Sequence, residues 1–433
     1  MNILMMTNTY TPLVGGLERS VKSFTHEYQR RGHQVLIVAP TFAGTPPNEP
    51  DVLRLPAIQR FNGSDFSVKL PVPRLLQRAL AAFRPDIIHA HHPFLIGNTA
   101  LRLAHTRQIP TVFTHHTLFE QYTHYLPVDL PAVERFVSEL SSGYANLCDE
   151  VFAPSQSVSD LLRERGVMTP ITVVPTGVDL KRFAAGNGRR LRQLLDIPVG
   201  ALVVGHVGRL AQEKNLEFLS QGLAAFLTQD RRAYALIVGE GPSVPQIRQL
   251  LVDSRVGRRL RMPGVLRGQR LIDAYHAMDV FAFSSKSETQ GLVVAEAMAA
   301  GIPVVALDAP GVREVVIDQR NGRLLPAASV DAFAAALRWM ADLPHRRRQL
   351  LGWTALATAR QLSMRRCADL ALSRYETLVI RGWARRSLED SRWATAARRI
   401  NTEWALLKTF SRATTAALVP TRGIETPGDA HVS

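Results

Sequence analysis

Residues 280–305 read VFAFSSKSETQGLVVAEAMAAGIPVV. Val280–Phe283 is an unbroken apolar run closed by serines, the pattern of a buried strand. A polar loop with Glu288 follows, Gly291 opens a helix of small residues reaching Gly301, and Val304–Ala306 is the next strand. Strand, helix and strand in so short a span form a βαβ unit, which builds a parallel sheet and leaves its ligand site outside the strands' carboxyl ends. Glu288 and Glu296 are eight positions apart and would diverge by about 80° on one helix. Glu288 is therefore assigned to the loop and Glu296 to the helix, one turn in. An arbitrary pair of glutamates at this spacing would be a solvated helix face. An acid inside an Ala/Val/Met helix instead faces something specific, and both acids suit the hydroxyls of a sugar or a ribose. Backbone N–H groups of Thr289, Gln290, Gly291 and Leu292, at the helix start, suit a phosphate.

The same alternation extends in both directions. Ile3–Met6, Val35–Ala39, Ile87–Ala90, Val112–Thr114, Val151–Ala153 and Ile171–Val174 read as strands of a first sheet, with helices at Leu17–Arg31, Pro73–Phe83, Asn98–His105 and Ser155–Arg165. The pattern restarts with Leu202–His206, Ala235–Val238, Val280–Phe283 and Val304–Ala306, and helices near Leu216–Leu227, Val244–Asp253 and Val294–Ala300. The chain's 433 residues exceed the ~100–200 of one domain. The expected fold is α/β: two Rossmann-like, doubly wound domains facing across a cleft. The expected domains are 1–185, 186–375 and a helical Arg/Trp extension with a flexible tail over 376–433, residues 421–433 reading as disordered.

Composition narrows the classes. Two cysteines, Cys148 and Cys367, exclude a disulfide scaffold and read as buried thiols of a reducing compartment. No apolar run approaches the ~18–20 residues of a membrane span, and residues 1–10 read as a strand rather than a signal peptide. The expected location is cytoplasmic, with room for a peripheral position on the membrane's inner face. Lys plus Arg exceed Asp plus Glu by 52 to 37, a balance of +15 that attracts polyanions. On a helix, Trp393, Ala397, Ile400, Trp404 and Leu407 share one face amid arginines. Such a helix either packs on the enzyme's own body or lies in a membrane interface.

Three further motifs sit at strand ends. Gly15–Gly16 opens a helix after the first strand, as a turn requires or as an anion site allows. Gly208–Arg209 and Lys214–Asn215 follow the second sheet's first strand. They form either an ordinary solvated loop or a grip on a diphosphate, Arg as a planar fork and Lys as a point charge. His89, His91 and His92, and His115 and His116, are dense enough to suggest a metal site. No adjoining carboxylate or cysteine set completes one, so no metal is expected.

The Glu288–Glu296 spacing, followed by Ala-Met-Ala-Ala-Gly-Ile-Pro-Val-Val, resembles the signature of family 4 retaining glycosyltransferases of the GT-B fold. Gly15–Gly16 and Arg209…Lys214 stand where that family has its acceptor-side loop and diphosphate grip, and the resemblance covers residues 1 to about 375. It implies a nucleotide-diphosphate sugar as donor and no metal cofactor. Arg209 and Lys214 would neutralise the diphosphate, Glu296 would bind the ribose, and Glu288 would contact the donor sugar. Residues 290–292 would hold sugar and phosphates, and His116 would stand close to the reacting sugar. Many members read Glu-Gly-Phe-Gly where this chain has Glu288-Thr-Gln-Gly291, a variant familiar in the lipid-glycosylating branch. Phe119–Pro127 is similar to the corresponding stretch of bacterial diacylglycerol glucosyltransferases; UDP-glucose is the expected donor, and the basic balance with the Arg/Trp tail favours a membrane lipid such as diacylglycerol, or a lipid-linked sugar, as acceptor. The alternatives are a mannosyl- or glucosyltransferase with a soluble or polysaccharide acceptor and, from a different class, a polyanion-binding protein. No zinc finger, RNA-binding signature or helix-turn-helix supports nucleic acid as a partner, whereas an anionic membrane surface fits the charge.

Overall fold

The computed structural model describes residues 1–13, 15–58, 68–69, 73–118, 130–386 and 392–418. Its first parallel sheet has seven strands: Asn2–Met6, Gln34–Pro40, Val52–Leu55, Ile87–Ala90, Thr111–Thr114, Glu150–Ala153 and Ile171–Val173. Numbered in chain order within the sheet, they lie 3-2-1-4-5-6-7. The second has six, Leu202–Val207, Ala233–Val238, Leu260–Gly264, Val280–Phe283, Val304–Leu307 and Gly322–Leu325, lying 3-2-1-4-5-6. Both are doubly wound, as expected, and each reverses direction beside its first strand, where such sheets bind ligands.

The central strands are apolar on both faces because helices cover both. Ile3, Leu4, Met5 and Met6 are completely buried, the odd and even positions entering different core clusters. The helix Gly16–Arg30 supplies one cover by turning Val21, Phe24 and Tyr28 inward at helical spacing. Cys148 and Cys367 are buried free thiols, both pushed upward by burial, Cys367 to about 12.

The chain crosses between the lobes at 174–178, ahead of the expected boundary at 185: Val178 and Phe183 already belong to the second lobe's core. It then crosses back. The helix Met364–Arg386 packs Met364, Cys367, Ala368, Ala371, Leu372, Tyr375, Leu378 and Val379 into the first lobe's core. The expected end of the second domain at 375 thus falls inside a helix of the first. The two crossings are hydrogen-bonded to each other, Val178 N–H to the Leu362 carbonyl at 2.8 Å and Met364 N–H to the Val178 carbonyl at 3.0 Å. Gly177 allows this approach, since a Cβ there would stand 2.2 Å from the Met364 Cα.

Arg374 pins the returning helix with a two-pronged contact to Glu150, Nε to Oε1 at 2.7 Å and a terminal nitrogen to Oε2 at 3.0 Å; the Glu150 side chain is 1% exposed. Removing the cation strands a buried carboxylate. Arg374→Ala should therefore lower unfolding free energy by about 3 kcal/mol in a urea titration; an unchanged midpoint would refute that role.

The last helix, Arg392–Leu418, packs lengthwise on the helices Leu130–Ala145 and Ile96–Arg107. Thr402 and Ala413 are buried, Glu403 meets Arg102 at 2.6 Å, and Phe410 meets Phe136 edge-on. Ile400, Trp404 and Leu407, expected to form one face, point to the other side and are about 60% exposed. The helix is thus anchored by one face and carries its apolar stripe outward. Residues 119–127 and 421–433 and the side chains of Trp383 and Trp393 lie outside what is described.

Candidate active site

A cavity of about 520 Å³ opens between the carboxyl ends of the two sheets, next to both reversal points. Gly15 and Gly16, His116, Arg209, Lys214, Glu288, Thr289, Gln290, Gly291 and Leu292 all line it. Glu296 does not; it lies just behind, 6% exposed, and touches the cavity through Arg19. Each group is set by its own turn. Gly15 caps the helix Gly16–Arg30 in an extended conformation. Gly291 caps Leu292–Ala299 at φ +69°, a left-handed position that disfavours any side chain. Lys214 ends the short 3₁₀ turn Gln212–Lys214.

The serines of the 284–287 loop bind that turn. Ser284 Oγ donates to the Lys214 and Asn215 carbonyls and Ser287 Oγ to the Glu213 carbonyl at 3.0 Å, so the cationic and acidic loops form one piece. Lys214 Nζ meets Glu288 Oε1 at 2.7 Å, both side chains under 20% exposed. Glu296 accepts from Tyr275 Oη at 2.7 Å and from the Arg19 guanidinium at 3.0 Å. The expected ligand groups are thus paired within the protein, and an incoming diphosphate or ribose must compete for them.

The Gln290 side chain is committed elsewhere. Its Oε1 accepts from Thr176 N–H and its Nε2 donates to the Thr176 carbonyl, both at 2.7 Å. The donor-side loop is thereby tied to the crossing strand. Thr289 Oγ1 donates to the His116 carbonyl at 2.9 Å, a second tie across the cleft.

The histidines are buried but not gathered round a centre: among the described residues no group of three or more His, Cys, Asp or Glu is placed to hold a metal ion. His89 bridges Tyr375 Oη at 2.5 Å and Thr114 Oγ1 at 2.6 Å, and His92 Nδ1 accepts from Asn8 N–H at 3.1 Å. Burial lowers both to about 3. His91 Nδ1 stands 2.9 Å from His116 Nε2, and burial holds both rings well below the ordinary histidine range. His206, which sequence reading missed, donates from Nδ1 to the Ala282 carbonyl at 3.1 Å and lines the cavity. Burial lowers it to about 4. Arg19 and Tyr275 were missed too. Arg19 stands four residues beyond Gly15, so only the glycine loop could have drawn attention to it.

Residues 14–182 match the model of Glycosyltransferase Family 4, and residues 201–342 that of Glycosyl transferases group 1. A GDP-mannose-dependent alpha-mannosyltransferase of Mycobacterium tuberculosis is 30% identical over 76% of this chain and 85% of its own. The chain is a family 4 glycosyltransferase. An alpha-monoglucosyldiacylglycerol synthase of Streptococcus pneumoniae is 28% identical over 75% of each chain. Among solved structures, Anabaena HepE in complex with UDP superposes with a TM-score of 0.69 at 20% identity, covering 87% of this glycosyltransferase and all of HepE. That likeness establishes the GT-B architecture of the two lobes.

Proposed function

We propose that this glycosyltransferase moves glucose from UDP-glucose to a hydroxyl of a membrane lipid such as diacylglycerol, with retention and without a metal ion. The observation that carries the reading is the single cavity uniting Arg209 and Lys214 with Glu288, the Gly291 helix start, His116 and the Gly15–Gly16 loop. The donor's diphosphate lies against Arg209, Lys214 and the backbone of Gly291 and Leu292, with Glu296 on the ribose. As the bond between the sugar's anomeric carbon and the phosphate oxygen breaks, negative charge grows on the leaving phosphate and positive charge on the ring. Fixed cations stabilise that separation without reorganising. The acceptor oxygen bonds to the anomeric carbon on the face the phosphate leaves, and its proton passes to a phosphate oxygen, so configuration is kept. Glu288, held by Lys214, contacts the sugar and is not a covalent nucleophile.

Relatives named as diacylglycerol glucosyl synthases support a lipid acceptor, and relatives that use GDP-mannose support the alternative of a mannosyl donor. Purified enzyme with radiolabelled UDP- and GDP-sugars and extracted lipids tests the choice. Label from UDP-glucose in an organic-soluble product, unaffected by chelator, is expected. Transfer only from a GDP-sugar, or only to soluble acceptors, overturns it.

Ile400, Trp404 and Leu407 border a second cavity of about 690 Å³ with Leu76, Leu80 and Leu103, and Arg102, Arg107 and Arg399 line it as well. Among the described residues no helix is long and apolar enough to cross a membrane. This apolar, basic flank is the surface by which the enzyme meets anionic lipid. The protein should co-sediment with phosphatidylglycerol vesicles but not with phosphatidylcholine ones, and Trp404→Glu with Leu407→Glu should abolish binding. Point changes are the right probe, because deleting the helix would strip the packing beneath it. Undiminished binding by the double variant would rule the surface out.

A further inference from the structure

His116 is one of two histidines that line the cavity, with His206, and its chemistry depends on which ring nitrogen carries the proton. Its Nε2 faces inward, 2.9 Å from His91 Nδ1, the rings nearly parallel at 30°. One proton lies between these two nitrogens, and either ring can supply it. The far side of His91 decides which. His91 is 1% exposed, and its Nε2 is buried with no hydrogen-bond partner. If His116 supplied the shared proton, His91 would carry its own on Nε2 as a buried N–H with no acceptor, the kind of orphan folded proteins avoid most strictly. If His91 supplies it from Nδ1, the orphan is only a lone pair. Neither ring takes a second proton, since burial disfavours the charge and the neighbouring His89 and His92 add no anion.

We propose that His91 is a positioning residue that fixes His116 as the Nδ1–H tautomer, so that His116 offers the bound donor a hydrogen-bond donor and cannot serve as a base. The inference rests on the reading of the cavity as the sugar-transfer site for its consequence, not for its geometry. Its consequence is that an oxygen of the bound nucleotide sugar receives the His116 N–H. The acceptor's proton must then leave by the phosphate, as the transfer scheme above requires. The ring is held from one side by His91, while Thr289 Oγ1 holds the His116 backbone. The donated hydrogen bond is thus aimed before substrate arrives.

The tautomer is read directly, without turnover, from long-range proton–nitrogen correlation spectra of the full-length protein carrying ¹⁵N-histidine, with His116→Gln assigning the signals. A protonated Nδ1 and bare Nε2 on His116 are expected; a protonated Nε2 overturns the proposal. Two variants test the control by His91. In His91→Asn an amide N–H stands where Nδ1–H stood, and tautomer and kcat should persist. In His91→Leu no N–H is offered to Nε2, so His116 should no longer be held as the Nδ1–H tautomer and kcat should fall by up to about tenfold, the scale of one neutral hydrogen bond, with UDP affinity unchanged. An unaltered His116 tautomer in His91→Leu would also overturn it. Absence of hexose transfer would refute the functional reading while leaving the spectra to decide the tautomer.

Discussion

Lowering the pH from 7 to 5 should remove several kcal/mol of this protein's stability, before its carboxylates titrate. His89, His92 and His206 are buried neutral, with values near 3, 3 and 4 against 6.5 in the unfolded chain, burial being the leading cause in each. Between those limits the unfolded chain binds protons that the native state refuses, so stability is full above about pH 6.5 and falls as pH drops. At pH 5 each histidine costs about 2 kcal/mol, or roughly 6 kcal/mol for three acting independently. That is comparable to the whole stability of a typical domain, roughly 5–15 kcal/mol. Glu27 and Glu403, held low by hydrogen bonds from Arg30 and Arg102, act in a separate window that opens only below about 4.5. Urea midpoints measured at half-unit steps should slope steeply from 6.5 downward, and a flat profile between 7 and 5.5 would disprove the account.

The second large effect concerns turnover. Arg209 and Lys214 lie on the same wall as Glu288, with the serine-clamped turn preventing either loop from drifting. Replacing both by Ala should lower kcat by at least about 10²–10³-fold, the scale of removing one preorganised charge-stabilising donor. Lys214→Ala alone has a further penalty, since Glu288 would lose its 2.7 Å partner and face the donor's diphosphate as an uncompensated anion. Adding Glu288→Gln should then recover part of the loss in donor KM. Normal turnover by the Arg209/Lys214 double variant would end the proposed scheme.

How much could be read beforehand follows a physical line. Central strands such as Ile87–Ala90 and Val280–Phe283 are buried on both faces, so their apolar runs are unbroken and were located almost to the residue. Three of the missed strands, Val52–Leu55, Leu260–Gly264 and Gly322–Leu325, are edges of the two large sheets. Each carries an arginine, which breaks the apolar pattern that marks an interior strand. In the site, residues grouped by local spacing were legible: Gly15–Gly16, Arg209 with Lys214, and Glu288 through Leu292 share one cavity. Arg19 on Glu296, Gln290 on Thr176 and His91 on His116 were not. The first pair joins the two lobes, the second joins the donor-side loop to the crossing, and the third joins loops after neighbouring strands 25 positions apart. No periodicity reports such meetings, only the assembled fold does.

The returning helix also sets the order in which the molecule can be built. On the ribosome, the amino-terminal lobe emerges first with Phe24 and Tyr28 awaiting Tyr375, Leu378 and Val379. The second lobe's sheet, complete by Leu325, lies earlier in synthesis than those partners. The half of the protein that is translated first is therefore finished last. Throughout that interval its apolar flank is bare to chaperones and to other nascent chains.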